Sequence, residues 1–104
     1  MSAIKINQNE FQMVRENEGV SLIDFYADWC GPCRMLAPII EELEAEYPTV
    51  KFCKVNVDKE PELASLFKVT SIPHVAVVKN NNYVDFSLGY VPKDKLRALI
   101  EEYK

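Results

Sequence analysis

The chain reads as an α/β protein, a central mixed sheet flanked by helices on both faces, with elements in the order βαβαβαββα. Three observations carry that reading. Val20 to Ala27 is a near-continuous apolar run, the pattern of a strand covered on both faces. Strand-like segments alternate with segments whose apolar residues recur every three or four positions. Near the C-terminus, two strand-like runs flank Asn80-Asn81-Asn82, a turn tolerant of left-handed backbone, so an antiparallel hairpin is expected at one edge.

Each element has its own signal. Ile4 and Ile6 make a short first strand, and Asn7 or Asn9 can cap a helix carrying Phe11 and Val14. Gly19 is expected to end that helix. After the apolar strand, a helix is predicted from about Cys33 to Tyr47, with Pro48 as its stop. Pro38 lies inside it and removes one backbone bond, to the carbonyl of Arg34, so a kink is expected. Phe52 to Val57 forms the next strand, and a short helix follows with Leu63, Leu66 and Phe67 as its apolar face. Val75 to Val78 and Tyr83 to Leu88 make the hairpin strands. A last helix packs through Leu96, Leu99, Ile100 and Tyr103.

Length and composition narrow the function classes. A chain of 104 residues, 48% hydrophobic and 27% charged, suits one soluble folded domain spanning 1–104. The net charge is −4 and the basic residues are scattered, which argues against a nucleic-acid partner. The apolar runs are too short to cross a bilayer, so no membrane association is expected. Met1 to Asn9 lacks the apolar core of a secretory signal, and three cysteines do not make a secreted disulfide framework. A reducing, cytoplasmic compartment is expected, with a processed organelle form as the alternative.

In such a compartment a cysteine pair needs a chemical task or a metal. The run Trp29-Cys30-Gly31-Pro32-Cys33 lies where the buried strand turns into the helix carrying Met35, Leu36, Ile39, Ile40 and Leu43. Two intervening residues let the sulfurs meet across a small ring when the second cysteine starts a helix. That setting reads as a redox site rather than a structural staple. Asp24, one strand residue from Phe25, is a carboxylate placed among apolar neighbours on the same face as Leu22 and Tyr26. Desolvation there would raise its pKa and make it a candidate proton acceptor; the plainer reading is a solvated strand-end Asp or one satisfied by backbone donors.

The strand Ile23-Asp24-Phe25, the W-C-G-P-C run, Pro38 and Ser71-Ile72-Pro73 together resemble the thioredoxin family, in the right order over nearly the whole chain. The resemblance implies the thioredoxin fold and a protein dithiol–disulfide reductase. Cys30 is expected as the nucleophile and Cys33 as the residue that resolves the mixed disulfide. Only a thiolate attacks, and a helix N-terminus favours the anion, so Cys30 at the helix mouth suits the first role. Cys33, inside the first turn, is expected to be the more buried. Gly31 permits the tight turn, and Pro32 stiffens the helix start. The resemblance also implies that Asp24 helps deprotonate Cys33 and that Lys54 lies near Asp24; the plainer reading of Lys54 is an exposed edge residue. It implies a cis bond at Pro73, with the Ile72 backbone offered to an extended substrate. Trp29, Tyr26, Ile72, Gly89 and Tyr90 would form a shallow apolar rim around Cys30, Gly89 serving either close backbone approach or a strand-end turn.

Electrons are expected from NADPH through a thioredoxin-reductase-like flavoprotein, with no cofactor bound to this chain itself. The expected partners are that reductase and disulfide-containing client proteins, met by a monomer. Electron transport to client disulfides and a part in cell redox homeostasis follow. Rival readings start from the same residues. Cys30, Cys33, Cys53 and His74 have the composition of a Cys₃His zinc site, but Cys53 and His74 stand 21 positions apart and form no close ligand pair. Cys53 is expected as a core thiol facing away from Lys54, and His74 as a rim residue after Pro73. Two more rivals are an isomerase or oxidase on the same fold, and a non-catalytic module that binds through Trp29 and Tyr90. The acidic stretch Glu41, Glu42, Glu44 and Glu46 reads as a solvated helix face.

Overall fold

A computed structural model describes the backbone of residues 4–5 and residues 11–104 in full. The elements are β1 (Ile4–Lys5), α1 (Gln12–Arg15), β2 (Val20–Tyr26), α2 (Gly31–Glu46), β3 (Lys51–Asn56), α3 (Pro61–Leu66), β4 (His74–Lys79), β5 (Asn82–Leu88) and α4 (Lys93–Tyr103). Their order is the expected βαβαβαββα. The sheet runs β1-β3-β2-β4-β5, with β1, β3 and β2 parallel and β4 and β5 antiparallel at the other side. The candidate caps Asn7 and Asn9, and Ile6, lie outside the described residues.

Strand alternation sorts the core into two layers. Leu22, Phe52, Val75 and Val77 face α2 and α4, where Leu36, Ile40, Leu43, Leu96 and Ile100 meet them. Ile23, Phe25, Cys53, Val55 and Ala76 face the other side and pack with Val14, Leu63 and Phe67. Every β2 residue from Val20 to Phe25 is buried, as a strand covered on both faces requires. Burying a Leu or Phe side chain contributes roughly 1.5–3 kcal/mol, so both layers are needed to offset chain entropy.

Boundaries differ from the expected ones for local reasons. α2 begins at Gly31, two residues early, because Cys30 is its N-cap and Pro32 fits the first turn. The helix continues through Pro38 to Glu46, with Tyr47 as C-cap ahead of Pro48. α1 ends at Arg15 rather than at Gly19; Gly19 has φ +95° and leads into β2, its N–H donating to Asn80 Oδ1 at 2.8 Å. Leu66 is 56% exposed and is not part of the buried face of α3, which rests on Leu63, with Phe67 just beyond. Asn80 and Asn81 take φ +49° and +68°, the left-handed pair a tight hairpin needs.

Candidate active site

The end of β2 and the start of α2 bring the two thiols together. Cys30 has extended backbone (φ −87°, ψ 110°) and caps α2, its Sγ accepting the N–H of Cys33 at 3.2 Å. Cys30 and Cys33 are joined as a disulfide, with Cα atoms 5.2 Å apart. The helix N-terminus therefore points the Cys33 N–H at the Cys30 sulfur, an arrangement that favours a thiolate there once the bond is reduced. Gly31 has no left-handed backbone, so the turn does not depend on glycine in the way the sequence suggested.

Cys30 and Cys33 are equally buried at 4% exposure, against the expectation that Cys33 would be the deeper. What separates them is their surroundings. Cys30 Sγ lies 4.0 Å from the carbonyl oxygen of Ile72, and the Ile72–Pro73 bond is cis as expected. Cys33 lines a cavity of about 190 Å³ on the other side, together with Asp24, Tyr26, Ala37 and Lys54. A water's share of liquid volume is about 30 Å³, so this cavity has room for a short water chain between the carboxyl and the sulfur.

Asp24 is buried, and its Oδ1 has no hydrogen-bond partner among the described residues. Desolvation pushes its carboxyl up to about 6, against the opposing pull of the Lys54 ammonium. Lys54 pairs with Asp24 across β2 and β3 and sets its Nζ over the Tyr26 ring at 4.8 Å from the centroid. These are the positions expected from the sequence: Asp24 faces the α2 side with Leu22, and Cys53, one residue from Lys54, faces the opposite layer.

The rim assembles from three loops. Trp29 is 68% exposed, and its indole Nε1–H donates to Asp58 Oδ2 at 2.8 Å. Asp58 was missed in the sequence; its signal was the Asn56-x-Asp58 turn, in which Asn56 Oδ1 accepts the Asp58 N–H. Gly89 has φ +76° and donates its N–H to the Pro73 carbonyl at 2.8 Å, while a Cβ there would meet nothing within 4 Å. Its glycine therefore serves the left-handed turn after β5, not crowding inside this chain. Tyr90 is exposed beside it.

His74 corrects the sequence reading. It is buried, not at the rim, because the β4 alternation turns it into the layer of Phe25 and Phe67. Its Nε2 meets the Tyr83 hydroxyl at 2.8 Å and its ring stacks on Phe86. Burial holds its pKa below the usual histidine range. Cys53 is buried in the same layer, its thiol pushed up to about 11 by desolvation. The zinc constellation is not assembled: Cys53 lies across the sheet from the redox pair, and no group of three or more His, Cys, Asp or Glu residues is placed to hold a metal among the described residues. No helix among the described residues is long and apolar enough to cross a membrane.

Comparison with known proteins agrees with this geometry. The thioredoxin family model matches residues 2–102. The chain is 39% identical over 104 residues to thioredoxin of Staphylococcus saprophyticus, covering 99% of each chain. It is 43% identical over 97 residues to chloroplastic thioredoxin M5 of Oryza sativa, covering 92% of this chain and 56% of the rice protein. The solved structure of a point mutant of thioredoxin from Halobacterium salinarum superposes with TM-score 0.90 at 37% identity, over 98% of this chain and 90% of that one. With its fold, its Cys30–Cys33 pair and these relatives in agreement, the chain belongs to the thioredoxin family and is a protein dithiol–disulfide oxidoreductase of thioredoxin type.

Proposed function

We propose that the chain is a cytoplasmic, monomeric reductant of client-protein disulfides in which Cys30 attacks and Cys33 resolves. The observation that carries this reading is the division of surroundings: Cys30 sulfur at the helix N-terminus beside the open Ile72–Tyr90 rim, Cys33 against the Asp24 cavity. The Cys30 thiolate attacks one client sulfur and expels the other as a thiolate, giving a mixed disulfide. Cys33 loses its proton to Asp24 through water, and its thiolate attacks Cys30 Sγ. The second client thiolate leaves, so two electrons pass to the client and the Cys30–Cys33 bond forms. A carboxyl near pKa 6 can take that proton and return it to solvent near neutral pH. Lys54 keeps Asp24 from rising further.

Trp29, Gly31, Pro32, Ile72, Pro73, Gly89 and Tyr90 contact the client around Cys30, the Ile72 backbone taking hydrogen bonds from an extended segment. The oxidised pair is returned to the dithiol by a thioredoxin-reductase-like flavoprotein that draws on NADPH, and this chain holds no cofactor of its own. Two measurements test the reading. Equilibration with a defined dithiol buffer should give a potential near the thioredoxin value of about −270 mV; one above about −200 mV would mark an isomerase- or oxidase-like protein instead. Cys33→Ser should accumulate a mixed disulfide on Cys30, while Cys30→Ser should trap nothing; the reverse pattern would exchange the two roles.

A further inference from the structure

Beyond the rim, β5 carries an exposed apolar strip that the thiol chemistry does not use. Tyr83, Phe86 and Leu88 stand opposite Val78, Ala76 and His74, on the α1/α3 side of the sheet. They are 42%, 50% and 48% exposed. Their inner faces are held by buried groups. Phe86 stacks on His74 at 5.2 Å and 20°, and Tyr83 rests on Phe67 at 5.0 Å while its hydroxyl meets His74 Nε2. The outer faces form an apolar shelf whose rings are already held from beneath, so covering it costs little side-chain entropy.

The Leu88 end of the shelf adjoins the loops around the redox site through the backbone. Leu88 precedes Gly89, whose N–H is bonded to the Pro73 carbonyl, and Ile72 beside Pro73 reaches Cys30 Sγ. Phe86 lies two strand residues, about 7 Å, beyond Leu88. β5 is an edge strand, but one of its backbone donors is already taken by a neighbouring side chain. The Phe86 N–H donates to Asp85 Oδ1 at 2.8 Å, and Asp85 Oδ2 accepts the Tyr103 hydroxyl. The shelf offers side-chain burial rather than a free backbone donor at Phe86.

We propose that the Leu88–Phe86–Tyr83 shelf is an accessory docking surface for the client, taking an apolar or aromatic side chain that flanks the client cysteine. This extends the reading of Cys30 as the attacking thiol and depends on it. The test uses disulfide-linked peptides whose flanking residues are either Leu and Phe or Ser and Gly, with oxidised glutathione as the small-disulfide control. The unmodified protein should reduce the apolar peptide at least fivefold faster in kcat/KM than the polar one. Phe86→Ser should remove most of that preference through KM, leaving the polar peptide and glutathione within twofold. Phe86→Leu, which keeps an apolar contact, should retain it. Equal rates for both peptides with the unmodified protein, or equal losses on all three substrates in Phe86→Ser, would overturn the proposal. So would concentration-dependent self-association that Phe86→Ser abolishes, since a second copy would then be the occupant. Failure to reduce any of the three substrates would instead defeat the reading of the thiol pair.

Discussion

Asp24 and His74 are both buried titratable groups, and they respond to pH with opposite signs. Asp24 has its folded pKa raised from 3.8 to about 6, so the folded state holds its proton more tightly than the unfolded chain. Its contribution is fully present below pH 4 and is lost as pH rises through about 6. The resulting cost at neutral pH is on the order of 3 kcal/mol. Asp24→Asn should therefore be more stable at pH 7 by up to about 3 kcal/mol, and this gain should vanish near pH 4 in urea titrations. The same variant should slow resolution of the mixed disulfide, because the proton acceptor for Cys33 is gone. His74 works the other way. Its folded pKa is depressed, so its contribution is present above the unfolded value near 6.5 and is lost as pH falls. Because Asp24 titrates in both proteins, the stability difference between the unmodified protein and His74→Gln should shift in favour of the variant as pH falls from 7 to 5.

At the scale of elements, the hairpin is the most exacting local structure. Asn81 has φ +68°, a region where a β-branched side chain costs roughly 1–2 kcal/mol. Asn81→Val is expected to destabilise by that amount, whereas Asn81→Gly should be neutral or slightly stabilising; thermal unfolding of the pair decides it. Asn80 is less free to change, because its Oδ1 also accepts the Gly19 N–H and so ties the hairpin to the start of β2. Between helices, Glu46 joins Lys93 and Arg97 and couples the end of α2 to the start of α4. Those groups lie at the surface and are partly exposed, so their contribution should be small and should fade with added salt. The acidic face of α2 is thus partly an inter-helix clasp rather than simply a solvated surface.

Across the whole molecule, the two core layers separate stability from chemistry. Leu96 is fully buried between α4 and the sheet, in the cluster that excludes both redox cysteines. Leu96→Ala should cost about 2–5 kcal/mol in denaturant unfolding and leave the Cys30–Cys33 potential unchanged. A shift in potential would mean that the α4 layer sets the redox poise.

The sequence by itself determined the element order, the placement of the thiol pair at a strand-to-helix junction, and the orientation of Asp24. Strand alternation has a period of two, and the helix stop and turn residues act locally, so these features needed no distant partner. The cis bond at Pro73 and the neighbourhood of Lys54 were legible only through family resemblance, since neither leaves a local pattern. Tertiary structure alone decided the rest. Trp29 finds Asp58 across two loops, and Leu66 at the end of α3 turns outward while Leu63 is buried. The burial of His74 depends on Phe25, Phe67, Tyr83 and Phe86 meeting around it. Those contacts join residues far apart in the chain, and no periodicity within one segment encodes which distant side chain will arrive.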